Sequence, residues 1–412
     1  MKLIVSHLTG NANVKSALRG LADQNLLAEF YVSMGVFPGS LLDNIGGLKP
    51  FAEIKRRRFD PVLKPFIKSW PWFELGRLSA TKMGFSKLVG PEGLFYIDSV
   101  CKNLDRHVAS HLGSAKKKKI GGVYCYEDVA EYSFVEAKKL GLKCIYDLPI
   151  GYWRAAHRLL EPEKDKWPEW ASTMSGLKDS EQKTLRKDKE LELADLILVA
   201  STFSANTLKD YPGHLSNIQV IPYGFPPTSS DDRYYPVKGK AALKLLYVGS
   251  LSQRKGIANL FEAVENLKTH VELTLVGTKK NNDCSALNQA LSKHKWIPSL
   301  SHSDILALMR DCDVLVFPSL FEGFGLVITE AMSQGTPVIT TDRTAGPDFI
   351  VNDQNGWLIQ AGSTDAIQAA IERLLINPGL IKKIGLEALQ TARQRPWAMY
   401  ERELTNAVAK VL

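Results

Sequence analysis

The sequence predicts an α/β protein built from two Rossmann-like domains that face a cleft, and three observations carry that expectation. Short apolar runs alternate with helix-length segments through the first half of the chain. The alternation breaks near Pro226, in the Pro-, Ser- and charge-rich stretch "PPTSSDDRYYPVKGKAA". It then restarts and runs to the C-terminus. Strands alternating with helices make parallel sheets covered on both faces. At 412 residues the chain is also too long for one ordinary core.

The elements follow in order. "KLIVSHL" reads as a strand and "NVKSALRGLADQNLL" as a helix. "GGVYCYE" is a strand, "AEYSFVEAKKLG" a helix ending at glycine, and "LKCIYDL" a strand. "KDKELELA" leads into the strand "DLILVA", and Ser201 can cap the helix in "STFSANTLKDY". "NIQVIPYG" closes the first run. The second run reads "LKLLYVGS", a helix from Ile257, "VELTLVG", a helix near Leu287, a short strand near Trp296 and the helix "SDILALMRDC". "DVLVFPS", a helix carrying Glu330, "TPVITT" and "WLIQ" complete it. These boundaries give an N-terminal domain over 1–225, a linker over 226–242 and a C-terminal domain over 243–394. A last helix over 395–412 follows Pro396.

Composition narrows the class. Hydrophobic residues make up 45% and charged residues 23%, the balance of a soluble globular protein. No apolar run approaches the ~20 residues that span a bilayer. The opening "MKLIVSHLTG" reads as a first strand rather than a signal peptide. Five cysteines, with no CxxC spacing, fit a reducing cytosol and offer neither a zinc site nor a disulfide framework. Cys125 and Cys144 fall in strand-like runs and read as small core residues.

The net charge of +8 is uneven. Residues 51–87 hold nine Lys/Arg against three acids, interleaved with seven aromatic rings. Pro61, Pro65 and Pro71 forbid one long helix there. Lys55, Arg56, Arg57, Arg58, Trp70 and Trp72 suit an anionic membrane surface, where cations attract lipid and aromatics settle at the interface. The same window also reads as a solvated excursion on the N-terminal domain. No nucleic-acid motif accompanies the charge, so nucleic acid is not an expected partner.

Two stretches carry chemistry. In "FEGFGLVITEAM" a strand gives way to a glycine-punctuated turn and a helix. Gly323 and Gly325 let a ligand approach the backbone, and the helix start offers N–H groups to an anion. Glu322 in the turn and Glu330 in the helix add acceptors for hydroxyls. In "VGSLSQRKGIANLFEAV" Arg254 and Lys255 precede a helix, where the dipole disfavours cations. A diphosphate lying between them and the helix resolves that conflict, with Arg as a fork and Lys as a point charge.

These pieces, with "ADLILVASTFSANTL" and "VIPYGF", occur in an order that resembles the retaining glycosyltransferases of family 4. The resemblance covers nearly the whole chain. It implies the two-domain GT-B fold, with the last helix crossing back to the N-terminal domain. It also implies that Arg254 and Lys255 hold the donor diphosphate, that Glu322 contacts sugar hydroxyls, and that Glu330 binds ribose. Gly323, Phe324, Gly325 and Leu326 would touch sugar and phosphate through the backbone, beside Gly249 and Ser250. Gly10 and Asn11 would face the donor across the cleft. No metal or other cofactor is expected, since the cations take its place. Two departures stand out. Ser250 occupies a position where many relatives carry arginine. The strand "CIYDLPIGYW" lacks the histidine that many carry near the acceptor. Asp147 is the best substitute, with Asp128 beside it; both residue types also serve as caps or turns. His7 and His157 are further candidates, each with a structural alternative.

The expected function is therefore transfer of a sugar, with retention, from a nucleotide donor, most plainly a UDP-sugar, to a glycan or lipid-linked acceptor in polysaccharide or lipopolysaccharide assembly. The alternatives are a GDP-mannose-dependent mannosyltransferase and a non-catalytic GT-B-fold protein that binds a nucleotide sugar or glycan. The expected location is the cytoplasm, or its face of the inner membrane.

Overall fold

A computed structural model describes the chain apart from residues 48–51, 56, 116, 175–176, 178, 216, 229–234, 236–241 and 280–282. Two parallel sheets organise it. The first contains β1 (Lys2–Ser6), β2 (Leu27–Val32), β3 (Ile67–Ser69), β4 (Ile120–Tyr126), β5 (Lys143–Leu148), β6 (Leu196–Val199) and β7 (Asn217–Val220), in the order β3-β2-β1-β4-β5-β6-β7. The second contains β8 (Leu243–Val248), β9 (Val271–Val276), β10 (Lys295–Ile297), β11 (Val314–Phe317), β12 (Val338–Thr341) and β13 (Trp357–Ile359), in the order β10-β9-β8-β11-β12-β13. All pairings are parallel, and β4 is buried along its whole length, as a strand covered on both faces should be.

Each sheet reverses its strand order once. The reversal lies between β1 and β4 in the first and between β8 and β11 in the second. Ligands of open α/β sheets bind outside the carboxyl ends of the strands at such points. The loops leaving β1, β4, β8 and β11 are thereby marked before any side chain is considered.

The sequence reading ran one helix through Leu27. In the structure that helix ends at Asp23, Asn25 turns the chain with φ 56°, and Leu27 opens β2. The short edge strand β3, inside the basic window, carries too few residues to show a period. Most of the expected linker lies outside the described residues. Within it, Tyr235 donates to the Gly335 carbonyl at 2.7 Å.

Two crossings join the halves. The helix Trp397–Val411 buries Tyr400, Leu404, Ala407 and Val408 in the core of the first sheet's domain. It packs against the helix Ala12–Asp23, where a Cβ on Gly20 would lie 2.9 Å from the Glu401 Cβ. Ser16 donates to Glu401 at 2.6 Å. In the other direction, Trp170 of the segment Pro168–Thr173 inserts into the core of the second sheet's domain. All five cysteines are buried, and none is in a disulfide. Among the described residues no helix is long and apolar enough to cross a membrane.

Candidate active site

β8 delivers the chain to Gly249 and then to a tight turn, Gln253–Lys255. Gly256 closes the turn at φ 68°, and a Cβ there would lie 2.0 Å from the Pro318 carbonyl oxygen, so the position admits only glycine. Gln253 is fully buried and organises the turn. Its Oε1 accepts from Ala258 N at 2.9 Å, and its Nε2 donates to Glu163 and Asn259, each at 3.1 Å. Arg254 and Lys255 are thus held on a rigid ledge.

β11 delivers the second ledge. Its exit leads to Glu322, and Gly325 at φ 87° turns the chain into the helix Leu326–Ser333. No side chain caps that helix; Ile328 N donates back to the Gly325 carbonyl at 2.9 Å, and the helix start ahead of it, at Leu326 and Val327, is the part suited to an anion. Lys255 forms an ion pair with Glu322. Arg254 Nη1 lies 3.5 Å from Glu322 Oε2 and donates to the Phe321 carbonyl at 2.6 Å. The Lys255 ammonium also sits 4.9 Å from the centre of the Phe317 ring. Burial, with Arg254 second, pushes the Lys255 ammonium well below its ordinary range. Glu322 is the counter-charge that opposes this. The two ledges therefore meet as two cations and one carboxylate beside an uncapped helix start.

Glu330 lies one turn into the same helix, where its carboxylate meets His302 Nε2 at 3.1 Å. Burial pushes its pKa up and His302 pulls it down. Gly323 is wedged against the opposite domain: a Cβ would lie 2.1 Å from the Pro149 carbonyl oxygen. The Gly323 carbonyl accepts from Ser201 Oγ at 2.5 Å and Ser204 Oγ at 3.0 Å. Phe324 packs its ring 4.7 Å from Tyr223 and 5.7 Å from Phe349, so its side chain serves the domain interface. Leu326 packs partly buried against the same cluster. The Ser250 carbonyl accepts from Tyr247 Oη at 2.8 Å.

On the first sheet, Gly10 follows β1 at φ 72°, and Asn11 caps the next helix by accepting from Val14 N at 3.2 Å. His7 Nδ1 accepts from Thr9 N at 3.0 Å and Gly10 N at 2.7 Å. Burial pushes His7 down to about 4, so it stays neutral and shapes this loop. Asp147 is 4% exposed and accepts from Tyr124 Oη at 2.5 Å, and burial raises its pKa to about 7. No described contact brings it to Arg254, Lys255 or Glu322. Asp128 has φ 74° and lies 3.1 Å from Arg186 in an ionic cluster with Lys183, while His157 pairs with Glu161.

The basic window is rearranged relative to the sequence expectation. Arg57 is 8% exposed and ion-paired with the buried Glu74, so it is removed from any surface. Arg58 pairs with Asp43 at 2.5 Å, and Arg56 lies outside the described residues. Trp70 stacks on His107 with ring centres 3.9 Å apart and donates to Asn103. Lys55 and Trp72 are exposed, the latter at 63%. Met83, Phe85, Leu88 and Leu94 join Trp72 as exposed apolar side chains, with Lys87 exposed among them.

Sequence reasoning missed Gln253, His302 and the tie from Ser201 and Ser204 to Gly323. "STFS" was read only as a helix cap; its second role depends on a carbonyl 122 residues away.

The comparisons with known proteins agree with this geometry. Residues 233–391 match the family model Glycosyl transferases group 1. The MMP alpha-(1->4)-mannosyltransferase of Mycolicibacterium hassiacum is 25% identical over 235 residues, covering 53% of this chain and 56% of that protein. The chain spans about half or less of the length of the curated relatives it matches first. Sucrose-phosphate synthase from Thermosynechococcus elongatus superposes with a TM-score of 0.68 at 16% identity, covering 100% of this chain and 98% of that one. HepE from Anabaena, solved with UDP and glucose, superposes with a TM-score of 0.64 at 16% identity over 100% of both chains. At that identity the structures speak to fold alone. Residues 233–391 are thus similar to a glycosyltransferase group 1 domain, within a chain that has the GT-B fold.

Proposed function

We propose that this protein transfers a sugar from a nucleotide-sugar donor to a glycan or glycolipid acceptor, with retention of anomeric configuration. The observation that carries the reading is the meeting of Arg254, Lys255 and Glu322 beside the uncapped helix start, at the strand-order reversal of the second sheet. Two cations and free N–H groups suit a diphosphate, and one carboxylate suits the hydroxyls of the attached sugar. On donor binding the phosphates displace Glu322 from the cations, which frees the carboxylate to orient the sugar. As the glycosidic bond breaks, negative charge grows on the leaving phosphate, where the fixed cations stabilise it. The leaving phosphate then takes the proton of the acceptor hydroxyl that attacks from the same face. Glu330 holds the ribose hydroxyls. In this reading no metal ion is needed, because the two side-chain cations supply the charge.

A UDP-sugar is the first choice of donor, a choice supported by HepE, a neighbour solved with UDP and glucose. A GDP-mannose donor is the second, supported by the mannosyltransferase relative. The protein acts on the cytoplasmic face of a membrane, held by Trp72, Phe85 and Lys87 rather than by the buried Arg57. The deciding experiment measures nucleoside diphosphate release from a panel of UDP- and GDP-sugars with EDTA present. Release from none, or only with a divalent metal, would overturn the reading.

A further inference from the structure

We infer that a hollow on the second domain, between the Trp167–Trp170 segment and the helices Ile257–Leu267 and Ser285–Ser292, is a second glycan-binding site. Its volume is about 340 Å³, within the range of small-ligand sites. One wall is a run of rings: Trp170 stacks on Phe261 at 5.8 Å and 24°, and Phe261 on His294 at 5.5 Å and 20°. Trp167 lines the same space.

The polar groups select the occupant. The Trp167 Nε1 and His294 Nε2 atoms are buried, and among the described residues neither has a hydrogen-bond partner. Burial holds His294 toward its neutral form. A hydroxyl answers both kinds of nitrogen, since it accepts from an indole N–H and can either donate to or accept from a neutral imidazole. An ammonium has no lone pair for the indole. An anion would meet Glu262 at the rim, where the Lys293 cation is already paired with Glu265. A sugar brings hydroxyls for the nitrogens, for Glu262 and for Gln289, and an apolar C–H face for the partly exposed Trp167 ring, with the buried Trp170 and Phe261 rings backing the hollow.

The site is also wired to the cleft. The segment that bears both tryptophans ends at Thr173, whose Oγ1 accepts from Gln253 N at 3.0 Å, next to Arg254. An oligosaccharide held here would keep a long glycan on the enzyme beside the cleft and leave the cationic turn as it stands. This goes beyond the donor cleft and does not depend on turnover.

Titration calorimetry with maltoheptaose, cellohexaose, mannohexaose and chitohexaose tests it, each with and without saturating UDP. The expected result is saturable binding of at least one probe, unchanged by UDP and by Lys255→Ala. That binding should weaken about fivefold or more in Trp167→Phe, which keeps a ring and loses the N–H, and in the exposed variant Gln289→Ala. UDP binding by both variants serves as the check that they are folded. Three outcomes overturn the inference. None of the four probes binds; UDP competes with the glycan; or Trp167→Phe and Gln289→Ala bind as the parent does. Failure of UDP to bind the parent protein would count against the donor-cleft reading instead.

Discussion

Lys255 and Glu322 pose the sharpest question at the residue scale. A buried ammonium needs a counter-charge, and Glu322 supplies it. In the proposed function Lys255→Ala removes a charge-assisted contact to phosphate, worth ~1.5–3 kcal/mol, so UDP affinity should fall roughly tenfold or more by calorimetry. Glu322→Gln leaves both cations and removes the carboxylate that, in the proposed function, orients the sugar. Turnover should fall by an order of magnitude or more while UDP binding is kept or strengthened. A Glu322→Gln protein that loses UDP binding in step with turnover would contradict this division. Asp147 gives a test of a different kind. Its carboxyl titrates near 7 in the folded protein because burial penalises the charge, against the ordinary carboxylate range in the unfolded chain. The raised value means that its contribution to stability is whole at acid pH and is lost as pH rises toward 7. Asp147→Asn keeps an acceptor for Tyr124 and abolishes the titration. The melting temperature of the variant relative to the parent should therefore climb between about pH 4 and 7 and level off above. Other buried carboxyls such as Asp105 and Glu190 titrate in both proteins and cancel in the difference.

At the scale of elements, the glutamate turn is held by the opposite domain. Ser201 caps its own helix through Ser204 N and donates to the Gly323 carbonyl across the cleft. Ser201→Ala should cost about 1–2 kcal/mol in denaturant unfolding, the range of a lost cap, and should also raise KM for the donor. A loss of stability with donor KM unchanged would make Ser201 a cap alone. The cap was legible in the sequence as Ser before a helical run. Its bond to Gly323 was not, because no periodicity reports on two segments this far apart. Gly323 itself was read as a place for a ligand to approach. The structure adds a reason of its own for glycine there: a Cβ would meet the Pro149 carbonyl of the opposite domain. Its neighbour Phe324 was read correctly as part of the turn, but its ring packs the interface.

At the scale of the molecule, the two domains exchange pieces: the last helix goes to the first domain, and Trp170 goes to the second. The cleft geometry is set by both crossings. The exposed apolar residues Trp72, Met83, Phe85 and Leu88 gather on one excursion of the first domain, with Lys87 beside them. Vesicles containing anionic lipid should bind the protein at low salt and release it at high salt, since the attraction is screened over ~8 Å at physiological ionic strength. Trp72→Ser with Phe85→Ser should abolish sedimentation with the vesicles and leave UDP binding intact. Arg57→Ser should instead destabilise the fold, because it leaves Glu74 buried with only Arg77 as its partner. Vesicle binding that survives loss of both aromatics would place the contact elsewhere.

The sequence by itself determined the two parallel sheets, a last helix after Pro396 and the two cationic and acidic turns; the return of that helix to the first domain came only from the family resemblance. These rest on local signals: hydrophobic period, glycine at sharp turns, and charge placed against a helix dipole. Only the tertiary structure decided which charges are spent on one another. Arg57, one of a run of basic residues, disappears into an ion pair with Glu74, and Asp147 lies under Tyr124 rather than at an open strand end. Burial and pairing are properties of where segments meet. The energy of a charge depends on the groups that surround it in space, and those come from positions the local pattern does not connect.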